Sequence, residues 1–358
     1  MKSKHSIGIL GATGMVGQRF IQLLENHPLF EISWLGASDR SSGKPYAEAA
    51  KWRLDTPLPE RIARMTVSPA VPQGAPKIIF AALDAAIARD MEPKFASAGC
   101  AVVSNSSAFR MAPNVPLVIP EINASHLHLI EEQPSRQESG GYMVTNPNCS
   151  TIGLVMALKP MEERFGIEQI FVTTMQAVSG AGYPGVPSMD ILGNVIPYIG
   201  SEEEKMEAET LKLLGRLEGH AVKPLNAKIT AHCNRVAVED GHTESVSIKL
   251  SKPATHEQIL AAWAEFKPLA GQNLPTAPEQ PIYWTELPDR PQPRLDRNRG
   301  NGMAVTVGRL RPCGVLDWKF TVLSHNTIRG AAGAAILNAE LLASLGKLHP
   351  PKMATARR

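Results

Sequence analysis

Near its N-terminus the chain passes from a short apolar segment directly into three regularly spaced glycines. Residues 6–10 have the sequence S-I-G-I-L, which is typical of a buried strand, and residues 19–24 have helical spacing. Between them, G-A-T-G-M-V-G extends from Gly11 to Gly17. A strand, a glycine loop and a helix in this order form the context that a phosphate-cradling loop requires. The G-x-x-G-x-x-G spacing is a variant of G-x-G-x-x-G, and a tight βα turn without a nucleotide is the alternative.

Further strand and helix patterns continue this unit. Strands are predicted at residues 31–37, 77–83 and 101–104, with a helix over 84–98. Repeated βα units predict a parallel, doubly wound sheet. Arg110 lies just after the strand at 101–104, at the carboxyl edge where such sheets bind ligands. It is therefore a candidate anion ligand, with a surface charge as the alternative.

The loop after the second predicted strand bears on the choice of dinucleotide. Residues 38–44 have the sequence S-D-R-S-S-G-K. At this position an acidic residue selects NAD through the ribose hydroxyls, whereas Arg or Ser suits the additional phosphate of NADP. Two cations and three hydroxyls outweigh Asp39, so the sequence favours NADP. A solvated loop without a ligand is the alternative.

A cysteine in N-P-N-C-S-T, residues 146–151, carries the strongest sign of chemistry. Cys149 lies where a strand pattern at 142–145 meets a long helical pattern. A helix N-terminus presents unpaired N–H groups and partial positive charge, which lower a thiol pKa and can bind an oxyanion. A buried structural cysteine is the alternative, since a nucleophile needs a base elsewhere in the fold.

The second half indicates a different, antiparallel type of sheet, together with helices over 202–217 and 328–345. His242 and Arg235 bracket a strand end and its turn. A histidine beside a thiol can activate it and move a proton at neutral pH, whereas a strand-end cap is the alternative. The proline-rich stretch 270–300 is predicted to be a surface excursion. The predicted strands are 168–178, 227–231, 234–238, 242–250, 302–311 and 314–323.

Length and composition limit the classes of protein to which this chain can belong. At 358 residues two domains are expected, and 43% hydrophobic with 20% charged residues is ordinary for a globular chain. A net charge of +3 without a basic block argues against nucleic acid, and no apolar run approaches the ~18 residues of a membrane span. The four cysteines are widely spaced, which argues against a metal site or disulfide framework and favours a cytoplasmic protein. They are Cys100, Cys149, Cys233 and Cys313.

Eight segments, in order along nearly the whole chain, match the motifs of one family. They are G-A-T-G-M-V-G (11–17), S-D-R-S-S-G-K (38–44), S-N-S-S-A-F-R-M (104–111), N-P-N-C-S-T (146–151), Q-A-V-S-G-A-G (176–182), E-E-E-K-M-E-A-E-T (202–210), R-V-A-V-x-x-G-H (235–242) and S-H-N-T-I-R-G-A-A-G (324–333). Together they resemble aspartate-β-semialdehyde dehydrogenase, in the branch found in archaea, fungi and some bacteria.

The resemblance implies an α/β fold with two domains. An N-terminal Rossmann-like, doubly wound parallel sheet over residues 1–147 would bind NADP and be completed by the C-terminal helix, 325–358. An α+β catalytic and dimerisation domain with a mixed, largely antiparallel sheet would span 148–324. The implied reaction is the NADPH-dependent reductive dephosphorylation of L-aspartyl 4-phosphate to L-aspartate 4-semialdehyde and phosphate, in lysine, threonine and methionine biosynthesis. The implied assembly is a homodimer or homotetramer.

The resemblance also implies roles for individual residues. Cys149 would be the nucleophile that forms an acyl-thioester, His242 the acid/base group, and Gln176 the group that orients the acyl chain. The implied substrate ligands are Arg235 for the α-carboxylate, Glu202 for the α-amino group, Arg110 and Lys205 for phosphate, and Asn148. The implied cofactor contacts are Gly11, Thr13, Gly14, Met15, Val16, Gly17, Ser38, Arg40, Ser41, Ser179, Gly180, Gly182 and Asn326.

Two alternatives remain at this point. Malonyl-CoA reductase of some archaea resembles the same branch and uses the same Cys and His, but its substrate has no amino group for Glu202 to bind. N-acetyl-γ-glutamyl-phosphate reductase and glyceraldehyde-3-phosphate dehydrogenase fit the motifs less well. A catalytically silent nucleotide-binding homologue is the alternative from another class, and the presence of both Cys149 and His242 argues against it.

Overall fold

The fold is built on two large sheets. The computed structural model describes residues 4–348, so the ends of the chain, including residues 349–358 of the predicted C-terminal helix, lie outside the described residues. The first sheet has six parallel strands in the order β3-β2-β1-β4-β5-β6. These strands are β1 His5–Leu10, β2 Phe30–Ala37, β3 Ser68–Pro69, β4 Ile78–Ala81, β5 Ala101–Ser104 and β6 Tyr142–Thr145.

The predicted doubly wound parallel sheet is confirmed. Its central strands are continuous apolar runs because helices cover both faces; β4 and β5 are buried at every position. The strand order reverses between β1 and β4, and dinucleotides bind at such a switch point, beyond the carboxyl ends of the strands. The glycine loop that follows β1 lies at this point.

The second sheet is mixed, as predicted. Its order is β10-β7-β11-β14-β13-β12; β7 with β10 and β12 with β13 are parallel, and the other three pairs are antiparallel. A small antiparallel ribbon, β8 with β9, is separate. The strands are β7 Ile167–Gln176, β8 Arg216–Glu218, β9 Ala221–Lys223, β10 Lys228–Arg235, β11 His242–Leu250, β12 Ile282–Thr285, β13 Val305–Pro312 and β14 Trp318–Ser324.

Two predictions about this half were wrong. In place of the two strands predicted at 227–231 and 234–238 there is one strand, β10, which pairs with β7 without interruption and ends before residues 236–238. The stretch 270–300 is not simply a surface excursion, because it supplies the edge strand β12, whose Ile282 is buried. Its prolines flank this short strand rather than interrupt it, so composition concealed the strand.

The longer helices pack on the sheets and the shorter ones lie in the connections. Three 3₁₀ segments, Ala124–Glu132, Val178–Ala181 and Arg299–Gly302, and one π-helix, Ile328–Ala332, complete the described structure. The α-helices are α1 Met15–Leu24, α2 Tyr46–Ala49, α3 Glu60–Ala63, α4 Ala85–Ser97, α5 Pro120–Asn123, α6 Pro134–Ser139, α7 Cys149–Phe165, α8 Ser188–Ile191, α9 Glu202–Leu213, α10 His256–Glu265, α11 Pro293–Asp296 and α12 Gly333–Ser344.

Helices α7 and α12 are buried on nearly all sides. Helix α7 belongs to the hydrophobic core under the second sheet, whereas Ile336, Leu337 and Leu342 of α12 belong to the core of the first sheet. Apolar residues all around a helix are expected when other elements cover every face. The chain therefore returns to the first sheet after completing the second. Within residues 4–348, no helix combines the length and the apolar character needed to cross a membrane.

Candidate functional site

Asn148 forms the N-terminal cap of α7 and so places Cys149 in its first turn. Its side-chain oxygen accepts hydrogen bonds from the backbone N–H groups of Ser150 (2.9 Å) and Thr151 (3.1 Å). Its side-chain nitrogen donates to Glu202 Oε1 at 2.7 Å. The side chain of Asn148, predicted to bind substrate, thus already links the catalytic helix to α9. This cap explains why the helix begins at Cys149.

Cys149 and His242, which are 93 residues apart, meet at the end of the second sheet: Cys149 Sγ lies 3.2 Å from His242 Nε2. On the other side of the ring, Nδ1 accepts a hydrogen bond from the backbone N–H of Ala177 at 3.0 Å. An imidazole nitrogen that accepts a hydrogen bond carries no proton. The neutral ring therefore carries its proton on Nε2, directed at the sulfur.

The surroundings keep both groups neutral. Burial, with a contribution from Glu202, raises the pKa of Cys149 to about 12, although Arg110 and Arg235 oppose this shift. Burial, with contributions from Arg235 and His325, lowers the pKa of His242 to about 3. The prediction that the helix N-terminus leaves Cys149 with a lowered pKa was therefore wrong. Desolvation outweighs the macrodipole, and Asn148 already occupies two of the free N–H groups.

One face of α9 carries charged residues toward the site. Glu202 is buried and receives the Asn148 amide, and Lys205 Nζ lies 3.9 Å from Glu202 Oε2. The same face continues with Glu209 and Lys212, both buried. Sequence reasoning did not assign these two, although their spacing of seven and ten residues from Glu202 places them on the same helical face. Glu202, Glu209 and Lys212 thus contact the start of α7 or the loop around Arg110, whereas Lys205 lies beside Glu202.

Arg110 is held in place on two sides. Its Nη1 donates to Glu209 Oε1 at 3.0 Å and its Nη2 donates to the carbonyl of Asn105 at 2.7 Å. Its Nε is buried and has no hydrogen-bond partner among the described residues. Lys212 Nζ donates to the carbonyl of Arg110 at 2.6 Å, and burial lowers the pKa of Lys212 to about 8. The Arg110 guanidinium, whose Nε has no hydrogen-bond partner among the described residues, is thereby fixed beside α9.

The loop after β7 covers Arg235 and His242. Arg235 is buried at the end of β10, and its Nη1 donates to the carbonyl of Ala177 at 2.9 Å. A β-carbon on Gly180 would lie 2.9 Å from Arg235 Nη1 and 3.1 Å from His242 Cε1, so a larger residue would displace these two side chains. Gln176, at the end of β7, is also buried and donates from Nε2 to Thr174 Oγ1 at 3.3 Å.

Asn326 connects this loop to the turn before β11. Its Oδ1 accepts from the backbone N–H of Gly241 at 2.8 Å, and its Nδ2 donates to Ser179 Oγ at 2.7 Å. Both halves of the amide are therefore engaged with protein groups. Asn326, predicted as a cofactor contact, holds the loop over His242 in this structure.

The glycine loop has the shape of a phosphate cradle. A β-carbon on Gly11, which has a φ of +86°, would lie 2.4 Å from the Ala82 carbonyl, and one on Gly17 would lie 2.4 Å from the Gly11 carbonyl. At Gly14 the nearest atom would be 3.5 Å away, so this glycine faces open space. No side chain caps the start of α1 at Met15. The backbone N–H groups of this turn suit a pyrophosphate, so the residues present fit a dinucleotide.

A cavity of about 920 Å³ extends from the outer face of α1 toward the second domain. It is lined by Met15 and Arg19 on one side and by Ser179, Gly182 and His325 on the other. Of the remaining predicted cofactor contacts, Thr13 and Val16 are half-buried around the glycine loop, and Ser38, Arg40 and Ser41 follow β2. Within residues 4–348 no group of three or more His, Cys, Asp or Glu side chains could hold a metal ion.

The π-helix packs directly against Cys149. A β-carbon on Gly330 would lie 2.7 Å from Cys149 Cβ, so only glycine fits at this position. The backbone carbonyl of Ala331 accepts from Asn146 Nδ2 at 2.8 Å. Arg329 and Glu121 form an ion pair beneath it in which both side chains are fully buried. The helical periodicity of the sequence indicates neither the π-helix nor the need for glycine at Gly330.

Two family profiles match the chain. Residues 6–130 match the semialdehyde dehydrogenase NAD binding domain, and residues 158–329 match the semialdehyde dehydrogenase dimerisation domain. The chain is 52% identical over 340 residues to the aspartate-semialdehyde dehydrogenase of Archaeoglobus fulgidus, which covers 95% of this chain and 98% of that protein.

Solved structures agree with this similarity. The crystal structure of aspartate semialdehyde dehydrogenase with NADP from Candida albicans has a TM-score of 0.89 and 44% identity, covering 96% of this chain and 100% of that one. The crystal structure of aspartate semialdehyde dehydrogenase II complexed with ASA from Vibrio cholerae has a TM-score of 0.73 and 26% identity, covering 96% of this chain and 99% of that one.

Proposed function

Because the chain belongs to the aspartate-semialdehyde dehydrogenase family, we propose that its reaction proceeds on Cys149, with His242 as the hydrogen-bond donor beside it. The enzyme is an NADP-dependent oxidoreductase that converts L-aspartyl 4-phosphate to L-aspartate 4-semialdehyde and phosphate, a step of amino-acid biosynthesis. The observation that carries the residue assignment is the 3.2 Å contact of Cys149 Sγ with His242 Nε2 at the start of a helix.

The nucleotide lies between the two domains in this proposal. When bound, NADPH supplies the hydride that reduces the acyl group on the enzyme. The glycine loop holds the pyrophosphate, and Ser38 and Arg40 face the additional phosphate of the adenosine ribose. Residues 1–147 with the C-terminal segment form the nucleotide domain, which the packing of α12 on the first sheet supports. Residues 148–324 form the catalytic and dimerisation domain.

Acyl transfer is the first step. The sulfur of Cys149 attacks the acyl carbon, a carbon–sulfur bond forms and the bond from that carbon to the phosphate oxygen breaks. The thiol proton ends on the departing phosphate, so the step is balanced without a protein group that retains this proton. Arg110 and Lys205 are the proposed phosphate ligands, and the buried Nε of Arg110, without a partner among the described residues, supports this role.

His242 acts as a hydrogen-bond donor through Nε2 in this proposal. Because Nδ1 accepts the Ala177 N–H, the ring presents a proton to the sulfur and to the oxygen of the tetrahedral carbon bonded to it. The backbone N–H of Cys149 is a second donor for that oxyanion. Collapse of the tetrahedral carbon breaks the carbon–sulfur bond and releases the aldehyde. The thiolate then takes one proton from solvent, which restores the starting state.

The other polar groups orient the substrate. Gln176 faces the acyl group, Arg235 holds the α-carboxylate, and Glu202 receives the α-amino group with Asn148 beside it. The burial of Gln176, Arg235 and Glu202 supports these roles, because charged or polar groups in a dry site bind an oppositely charged ligand strongly. The Asn148 amide has to share Glu202 with the substrate, since it already donates to that carboxylate at 2.7 Å.

Replacing Arg235 with lysine tests the carboxylate site. One arm of the guanidinium already donates to the Ala177 carbonyl, and the planar group can still offer donors to a carboxylate, which a lysine ammonium cannot reproduce. We expect Arg235→Lys to raise the KM for aspartate semialdehyde about 10- to 100-fold, in line with a lost charged hydrogen bond. The KM for NADP in the same variant is the internal control. An unchanged semialdehyde KM would place the carboxylate elsewhere.

Replacing Arg40 tests the choice of cofactor. Arg40 is exposed after β2, where a cation pairs with the additional phosphate of NADP. We expect Arg40→Ala to raise the KM for NADP about tenfold and to leave the KM for NAD nearly unchanged. Arg64→Ala is the matched control, because Arg64 is an exposed arginine that follows α3 directly and pairs with Glu60. If the NADP/NAD ratio stays at the wild-type value, Arg40 does not select the cofactor.

The activity assay is phosphate-dependent reduction of NADP with L-aspartate semialdehyde, run beside malonate semialdehyde plus coenzyme A. We expect turnover with the aspartyl substrate, and only when phosphate is present. The relatives described above give no support to malonyl-CoA reductase or to a silent homologue. Turnover with the coenzyme A pair alone would nevertheless restore the first alternative, and the absence of both activities would restore the second.

We further propose that the enzyme is a cytoplasmic homodimer or homotetramer. Five large apolar side chains between residues 183 and 198 are exposed, as is Phe171 on the outer face of the second sheet, and exposed apolar groups of this extent mark an interface. The profile named dimerisation domain covers the same region. The four free cysteines suit a reducing compartment. Light scattering would give two or four times the 38.7 kDa chain mass. The exposed side chains are Tyr183, Met189, Leu192, Val195 and Tyr198.

A further inference from the structure

We propose that Glu209 is a positioning residue that fixes the anion ligand Arg110 to the start of the catalytic helix; this rests on the proposed role of Arg110 in binding phosphate. Glu209 lies in the middle of α9 and is 1% exposed. Its Oε1 accepts from Arg110 Nη1 at 3.0 Å, and its Oε2 accepts from the backbone N–H of Asn148 at 2.6 Å. One carboxylate thus connects two elements that are distant in sequence.

Only a carboxylate suits this position. Both oxygens of Glu209 face donors, a guanidinium N–H and a backbone N–H, and an ionised carboxylate is an acceptor at both oxygens. A glutamine of the same shape would direct its NH₂ group at one of these donors and lose that contact. A residue that merely filled space between α9 and α7 would not need two acceptors.

Through these two contacts, Glu209 fixes the position of the proposed phosphate ligand Arg110 relative to Cys149. Arg110 Nη2 is fixed by the Asn105 carbonyl, so after Glu209 takes Nη1 the buried Nε is a guanidinium donor with no partner among the described residues. On the other side, Asn148 caps the helix whose first residue is Cys149. Attack on an acyl phosphate requires nucleophile and phosphate ligand in one fixed geometry. Glu209 touches neither the substrate nor the sulfur, but it sets this geometry.

Glu209→Gln is the test, with Glu207→Gln as the matched control. Glu207 lies on the same helix, and its Oε1 accepts from the backbone N–H of Ala231 at 3.0 Å, a single contact that glutamine can keep. In the NADP-reducing direction we expect Glu209→Gln to raise the KM for phosphate about tenfold or more. The KM for aspartate semialdehyde should change less than about threefold, because its proposed ligands Arg235, Glu202 and Gln176 form no hydrogen bond or ion pair with Glu209 among the described residues. Glu207→Gln should match the wild type in both constants.

The outcomes separate the roles. A phosphate KM in Glu209→Gln equal to that of Glu207→Gln, or an equal rise in both substrate constants, would overturn the proposal. Arg110→Gln is measured alongside: if it leaves the phosphate KM unchanged, the phosphate role of Arg110 fails and the premise with it. If Glu209→Gln does not fold, the KM values for phosphate and aspartate semialdehyde are measured for Glu209→Asp instead. It keeps both acceptors but is shorter by one methylene, and it must still raise the phosphate constant more than the semialdehyde constant.

Discussion

Cys149→Ser should lose at least about 1000-fold in kcat while its affinity for NADP stays at the wild-type value. A serine hydroxyl is a much weaker nucleophile than a cysteine thiol, and the ester it forms is a poorer acceptor of hydride than a thioester. The loss corresponds to about 4 kcal/mol of transition-state stabilisation. Steady-state kinetics with aspartate semialdehyde and phosphate give kcat, and a fluorescence titration with NADPH gives the affinity.

Cys313→Ser controls for the substitution itself. Cys313 is half-buried in the turn between β13 and β14, on the second sheet but outside the catalytic machinery. Its variant should keep kcat within about twofold of the wild type. Comparable kcat values for Cys149→Ser and the wild type would remove Cys149 as the nucleophile. Loss of NADPH affinity together with kcat would instead point to a collapsed cleft.

Arg329→Met should lower the free energy of unfolding by about 3–5 kcal/mol. Arg329 donates from Nη1 and Nη2 to the two oxygens of Glu121 at 2.7 and 2.9 Å, and neither side chain is exposed. Without the guanidinium, the carboxylate is left buried without its counter-charge. Thermal unfolding should show a Tm lower by about 10 °C.

An exposed ion pair gives the comparison. Arg164 and Glu265 are 2.6 Å apart, but their side chains are 40% and 64% exposed, so Arg164→Met should cost no more than about 1 kcal/mol. The double variant Arg329→Met with Glu121→Leu should recover part of the loss, because it removes the unpaired charge as well. Equal Tm values for Arg329→Met and Arg164→Met would show that breaking the buried Arg329–Glu121 pair costs no more stability than breaking an exposed pair.

The sequence predicted the elements that carry local signals. The glycine loop, the start of α7 at Cys149 and the two kinds of sheet follow from spacing and periodicity over short windows. Selecting His242 among ten histidines required the family resemblance, because the Cys149–His242 contact spans 93 residues. Glu209 was missed because a buried carboxylate in a charged amphipathic helix looks like a solvated face until its partners are known.

The pKa of Cys149 could not be predicted for a different reason. A helix N-terminus is visible in the sequence and lowers a thiol pKa, whereas desolvation depends on everything that packs around the sulfur. The raised pKa arises from burial and from Glu202, which lies on another helix. The same limit applies to β12, where neighbouring prolines concealed a strand that only its pairing with β13 makes evident.

The packing of Gly330 against Cys149 has a consequence for biosynthesis of the chain. The residues around Cys149 are joined by contacts that span 185 residues between Asn146 and Ala331 and 208 residues between Glu121 and Arg329. Until the ribosome has added residues 328–344, the first sheet lacks α12 and Cys149 lacks the packing of Gly330. Contacts of such long separation form late in folding. The surroundings of Cys149 are therefore completed only after the segment that carries Gly330 and α12 has been synthesised and has packed on the rest of the chain.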